Sequence, residues 1–271
     1  MRRPPQSRPH SGTGPASTLP AMPVRSDTEL MAEIDRLRAA LEHGQRDAAS
    51  REQQLERYAA DLRESFKRER AQAEQLRRSY KATVQALSNA VEARDAYTGK
   101  HAERVTAYGL EVARVIGMSV EDAPELEFGF LLHDIGKVAV PDAILYKPDV
   151  LTHSERRLME QHPVIGAEIV RDIEFLAGAV PVVLSHHERW DGGGYPDGLS
   201  GEGIPLAARA FAVADVLDAL TTDRPYRPAS SLSVAREMIV AGAGTHFDPQ
   251  IVDGFTAIPD DTFVRIAADL R

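Results

Sequence analysis

Apolar residues along positions 29–91 recur with the spacing of a helical seam. Leu30, Ile34, Leu37 and Leu41 are separated by 4, 3 and 4 residues. Leu55, Tyr58, Leu62, Leu76, Tyr80, Leu87 and Val91 resume the pattern after a weak stretch at 44–50. Proline is absent here, Gly44 is the one glycine, and 12 basic and 11 acidic residues fill the outer positions. The pattern predicts one long helix pairing with a second copy as a parallel dimeric coiled coil. A long, partly frayed helix folding back on its own domain is the alternative. From residue 92 the helical period continues in shorter pieces, with stripes at Val105, Tyr108, Val112 and Ile116 and at Phe211, Ala214, Leu217 and Leu220. No alternating strand pattern is evident, so the expected fold is all-α. The glycine- and proline-dense stretch 191–205 reads as a loop.

Residues 1–28 are rich in Pro, Ser, Gly and Arg, a composition too poor in apolar surface to order itself, so a disordered tail is expected. The domain reading is therefore tail 1–28, helix 29–91 and globular domain 92–271. A membrane span needs about 20 nearly uncharged apolar residues. Segment 175–184 is too short and holds Pro181, and 204–220 is interrupted by Arg209 and Asp215. Without a span or an apolar leader, a cytoplasmic protein with no membrane partner is expected.

Composition narrows the chemistry. Among 271 residues there is no cysteine, which excludes disulfides, thiolate metal sites and cysteine nucleophiles and leaves nine histidines to carry any nitrogen-ligand or imidazole chemistry. The formal net charge of −9 divides into +3 on the tail, +1 on the helix and −13 on the domain. Such a domain is not expected to bind DNA or RNA through charge alone.

Seven of the nine histidines lie in that domain. His133 and Asp134 end the apolar run LLHD, where an unpaired polar pair would be costly to bury. His101 lines up with the stripe of Val105 and Tyr108. Asp215 and Asp218 are i and i+3 on one helix face, His162 opens HPVIG, and His186 and His187 close VPVVLSHH just before the glycine loop. Singly, each has an ordinary reading: a hydrogen-bonded core histidine, a helix cap, or an exposed carboxylate at Asp218. His153 and His246 read as structural, and Trp190 as an anchor of the loop or a wall of the pocket. Together the histidines and aspartates suit borderline first-row metals, and a shared carboxylate would hold two such ions about 3.5–4 Å apart. Two ions so placed suit phosphoester hydrolysis.

The ordered set LLHDIGK, HPVIG, SHHERWDGGGYPDGLSGEGIP and ADVLDALTTDRPYR, spread over about residues 85–255, resembles the HD-GYP domain, a subset of the HD phosphohydrolase superfamily. The resemblance implies an HD-type helical bundle that hydrolyses cyclic di-GMP to pGpG, and onward to GMP in some members. It implies a metal site of His101, His133, Asp134 and Asp215, with Asp134 bridging to a second ion held by His162, His186 and His187. The attacking group would be a metal-bridging hydroxide, with Lys137 on the scissile phosphate. Gly193, Gly194, Tyr195 and Pro196 would form the lip, and Arg224 and Arg227 would meet the dinucleotide. Asp218 is expected to orient a ligand histidine or Arg224. Some members carry Glu four residues before the first histidine and hold a third ion. Tyr97 stands there in this chain, so two divalent ions, iron or manganese, are expected. Beside the cyclic di-GMP enzyme stand a phosphohydrolase of another nucleotide and a non-catalytic adaptor for cyclic di-GMP. A diguanylate cyclase or regulatory protein is the partner that the resemblance adds.

Overall fold

The computed structural model describes residues 25–94, 100–120, 123–223 and 227–270. Eleven α-helices appear among them, in the order α1 (Asp27–Glu92), α2 (His101–Val115), α3 (Pro124–Leu131), α4 (Asp142–Leu145), α5 (His153–Met159), α6 (His162–Arg171), α7 (Val180–Ser185), α8 (Leu206–Thr221), α9 (Leu232–Ala241), α10 (Pro249–Ala257) and α11 (Asp260–Asp269). Short 3-10 turns occupy Ile135–Ala139, Glu174–Ala179 and Gly201–Gly203. Pairing between extended segments takes the form of isolated bridges, among them Asp191 with Ser200 and Ala243 with Phe247. The fold is thus an all-α bundle with a very long first helix. No helix of the described residues is long and apolar enough to cross a membrane.

The chain divides into two units between Ala71 and Gln72. From Asp27 onward the first unit is helix. Its seam residues Leu30, Ile34, Leu37, Leu41, Leu55, Tyr58 and Leu62 are all exposed. Pairs one turn apart, such as Arg36 with Glu33 and Arg68 with Glu64, line its flanks. Each contributes a few tenths of a kcal/mol to the helix.

In the second unit, the last turns of α1 leave the seam spacing. Tyr80, Val84, Ser88 and Val91 fall on one face and pack into the bundle, with Val84 fully buried and Tyr80 stacked on Phe175 at 4.1 Å. Leu76 and Leu87 stay exposed. The apolar stripe of α1 therefore has two uses, an open seam upstream and a core contact at its end. The bundle has two apolar clusters. One joins α2 and α8 to the C-terminal helices through Phe130, Phe211, Phe255 and Phe263; the other joins the end of α1 to Phe128, Leu132, Ile135 and Val183. Burying a ring or branched side chain of this kind stabilises by about 1.5–3 kcal/mol, before chain entropy is subtracted.

One glycine lets the bundle close around the site. The turn Ile135–Ala139 lies so near α6 that a Cβ on Gly136 would come 1.9 Å from the His162 carbonyl oxygen and 2.6 Å from the Gly166 nitrogen. Both neighbours are backbone and cannot rotate away. Gly136→Ala is therefore expected to destabilise the fold by about 3 kcal/mol, the upper end for overpacking, as a lowered midpoint in urea unfolding. Gly44 meets nothing within 4 Å in mid-helix. Gly44→Ala is expected to raise helicity by circular dichroism, gaining about 1 kcal/mol.

Candidate metal centre

Three histidines sit at or just beyond helix ends and are oriented in the same way. Nδ1 of His133 donates to the Phe130 carbonyl at 2.9 Å, that of His162 to the Met159 carbonyl at 2.8 Å, and that of His186 to the Val183 carbonyl at 2.9 Å. Each acceptor is a carbonyl three residues back, near the end of α3, α5 or α7, where helices leave carbonyls without internal partners. A carbonyl oxygen only accepts, so the proton resides on Nδ1 and the Nε2 lone pair points inward. His101 reaches the same state differently: its Nδ1 donates to the Asp218 carboxylate at 2.7 Å.

The Nε2 atoms then gather around carboxylates in two groups. Asp134, His162, His186 and His187 offer ligand atoms within 4.8 Å of one another, and so do His101, His133 and Asp215. Asp134 touches both groups. Its Oδ1 is 3.2 Å from His162 Nε2 and 3.9 Å from His186 Nε2, while its Oδ2 is 3.2 Å from His133 Nε2 and 2.7 Å from Lys137 Nζ. In the second group His101 Nε2 lies 3.5 Å from Asp215 Oδ1. His133, His162 and His186 are almost wholly buried, and Phe211 floors the site 4.7 Å from the His133 ring.

This arrangement calls for cations. His162 Nε2 and His186 Nε2 stand 3.2 Å apart, and with both Nδ1 atoms already donating, two lone pairs and a carboxylate oxygen face one another. Burial, reinforced by the neighbouring histidines, holds His186 well below the ordinary imidazole range. Burial and His162 take His187 down to about 4. Both are neutral near pH 7, as ligation requires. Burial pushes the Asp134 carboxyl up, but Lys137 and His133 outweigh it and keep the group well below the usual carboxylate range. Burial alone would depress His133, yet Asp134 and Asp215 raise it, and the pull they exert on a proton they also exert on a metal ion. An all-nitrogen-and-oxygen set fits the borderline divalent ions.

Around the ligands, Asp218 is buried rather than exposed, and Arg104 grips both its oxygens, with Nε 2.7 Å from Oδ1 and Nη2 3.1 Å from Oδ2. The lip is held by a residue that sequence reasoning passed over. Glu188, buried next to the double histidine, accepts from the Asp197 N–H at 2.8 Å and the Leu199 N–H at 3.0 Å. Gly194 permits the fold-back, since a Cβ there would meet the Arg189 nitrogen at 2.4 Å and the His187 carbonyl oxygen at 2.6 Å. The Gly193 N–H donates to Asp191 at 2.9 Å. Tyr195, followed by Pro196, lies against His187 with ring centroids 4.8 Å apart, and burial pushes its phenol up so that it stays protonated. Arg104 went unremarked as well. The signal for it was a shared offset: His101 and Arg104 on α2, like Asp215 and Asp218 on α8, are i and i+3.

Other expected residues fall elsewhere. Arg227 donates to the Ala219 carbonyl on the last turn of α8. Arg224 and Tyr97 lie outside the described residues. His153 starts α5 behind a Thr152 and Glu155 capping box, and His246 stacks on Phe247 at 4.3 Å while its carbonyl accepts the Trp190 N–H. Trp190 also lies under the Arg209 guanidinium, 5.8 Å from its centre.

Helical bundle, adjacent His and Asp, and two His/Asp clusters sharing a carboxylate together define a class. Residues 85–251 match the HD domain family, and the chain belongs to the HD phosphohydrolase superfamily. Among similar proteins, a cyclic di-GMP phosphodiesterase of Vibrio cholerae is 41% identical over 203 residues, covering 69% of this chain and 41% of the relative. A cyclic di-GMP phosphodiesterase response regulator of Xanthomonas campestris is 44% identical over 173 residues, 63% of this chain and 46% of the relative. A 3′3′-cGAMP-specific phosphodiesterase of Vibrio cholerae is 39% identical over 197 residues, 72% of this chain and 38% of the relative. The chain thus spans less than half the length of each.

Two outcomes follow from the partners around the ligands. Asp218→Ala is expected to weaken Mn2+ binding about 10- to 100-fold at one of two sites, as loss of a ligand's orienting partner does, measured by calorimetric titration. Glu188→Ala leaves the Asp197 and Leu199 N–H groups without their carboxylate acceptor. Amides 197 and 199 are then expected to exchange with solvent faster, with a stability loss of about 2 kcal/mol, read by hydrogen exchange and thermal melting.

Proposed function

We propose that this chain is a metal-dependent phosphodiesterase that opens a cyclic dinucleotide, with cyclic di-GMP as substrate and pGpG as product. The observation that carries this reading is the Asp134 carboxylate, one oxygen facing His162 and His186 and the other facing His133 and Lys137. In it, His101, His133 and Asp215 would hold one divalent ion and His162, His186 and His187 the other, with the Asp134 carboxylate available to both. Such ions, iron or manganese, supply charge stabilisation at phosphoryl oxygens and lower the pKa of bound water. The rest falls to the chain. Lys137 places an ammonium group beside the scissile phosphate, and the buried rings keep bulk water out, which strengthens each charge contact. The Gly193, Gly194, Tyr195 and Pro196 lip presents a protonated phenol to the substrate. Arg224 and Arg227 would supply cations for the second phosphate, Arg227 with a guanidinium that also holds the Ala219 carbonyl. The exposed seam of α1 from Leu30 to Leu62 suits a second copy, making the protein a dimer through the upstream part of 29–91, on which a diguanylate cyclase or regulatory protein would act.

The names of the relatives support a second substrate, since they divide between cyclic di-GMP and 3′3′-cGAMP. The test is turnover of both dinucleotides by the purified chain loaded anaerobically with Fe2+ or Mn2+, with products separated by chromatography. Linear pGpG from cyclic di-GMP, lost in Asp134→Ala, is expected. Faster opening of 3′3′-cGAMP would move the assignment to the second substrate. Turnover of neither would overturn the reading.

A further inference from the structure

The four inward-facing histidines with fixed Nδ1 protons are not held alike. His133, His162 and His186 are oriented by carbonyls of their own local backbone. His101 is the first residue of α2, so its place depends on where that helix begins, and its ring depends on Asp218 of α8. The start of α2 carries little capping of its own. Lys100, at the cap position, has φ 59° and supplies no side-chain cap hydrogen bond. The N–H groups of a first turn have no acceptor within the helix and need one from outside.

That acceptor is the last residue of α1. Glu92 Oε1 takes the Ala102 N–H at 2.5 Å, one residue beyond His101, and Gln85 Nε2 of α1 reaches Glu103 Oε1 at 3.1 Å on the same turn. Ser88, Val91 and Glu92 form one side of a small cavity whose other side includes His101, His133 and Lys137. A carboxylate at a helix N-terminus is favourable both as a hydrogen-bond acceptor and toward the helix dipole. Here it is supplied across elements, by the end of a helix that runs without a break from Asp27.

We propose that Glu92 is a positioning residue for the ion held by His101, His133 and Asp215: the end of the long helix sets the first turn of α2 and so the aim of His101. The proposal rests on the metal-dependent reading above. Glu92 touches neither substrate nor ligand nitrogen in this role. A rotation or shift of the final turn of α1 is passed to one ion position, while the group built on Asp134, His162, His186 and His187 keeps its own backbone anchors. The link gives a signal arriving along α1 a route to the site.

The test compares the full chain with Glu92→Ala and Glu92→Gln, using Mn2+ titration calorimetry and hydrogen exchange of the peptide spanning 100–106. Glutamine keeps a carbonyl oxygen to accept the Ala102 N–H but removes the charge. Expected are two Mn2+ equivalents in the parent, with one weakened tenfold or more in Glu92→Ala and faster exchange of the α2 first turn. Both properties should lie within about twofold of the parent in Glu92→Gln. Unchanged Mn2+ binding in Glu92→Ala would overturn the proposal even if exchange quickened, because Glu92 would then be only a cap. Equal loss in Glu92→Gln would overturn it in favour of charge. Loss of both equivalents together in Glu92→Ala would overturn it in favour of general loosening. A parent that binds no Mn2+ would instead overturn the metal reading itself, and this inference with it.

Discussion

The carboxylate of Asp134 has to serve two sets of imidazoles at once, and the bundle is arranged so that it does. Its oxygens diverge, one toward His162 and His186 and the other toward His133 and Lys137. To satisfy both, the turn after α3 must lie directly on the first turn of α6. Any side chain at Gly136 would separate them, and Gly166 completes the fit from the opposite wall. The close approach of two backbones is thus the condition under which one carboxylate is shared. Lys137, on the same turn, offsets part of the negative charge that the sharing concentrates.

Around this point the helices act as holders more than as walls. Helix ends carry spare carbonyls, and at α3, α5 and α7 those spare acceptors are taken up by imidazole Nδ1 atoms. One set of bonds therefore completes the helix termini and selects the tautomer that leaves Nε2 available. His101 breaks the pattern, relying on Asp218 and Arg104 for its ring and on Glu92 for the turn that carries it.

Much of this was legible in the residues. The 3.6-residue period separated α2 and α8, and the spacing of His and Asp marked His101, His133, Asp134, His162, His186, His187 and Asp215, which the structure gathers into two groups. The contacts of Asp218 were half visible, because an i and i+3 pair gives a face but not what the face meets. Glu188 was not visible, and Arg104 showed only as an i and i+3 offset from His101, since a charged residue beside a motif looks the same whether it is solvated or buried. Nor could spacing tell where the stripe of α1 changes partner. Tyr80, Val84 and Val91 continue the helix period, but what they pack on, Phe175 and its neighbours, is brought there only by the tertiary fold.

The carbonyl anchors also bear on how such a site withstands drift. A hydrogen bond to the main chain of residues 130, 159 and 183 does not depend on which side chain those residues carry. Met159 and Val183 are therefore answerable to packing alone, and exchanging either for another apolar residue leaves the imidazole tautomers where they are. The chemistry is insulated from substitutions in its own supporting helices, while the glycines and carboxylates that make side-chain or close-backbone contacts have no such latitude. The main-chain anchors thus allow the ligands to stay oriented whatever apolar side chains stand at positions 159 and 183.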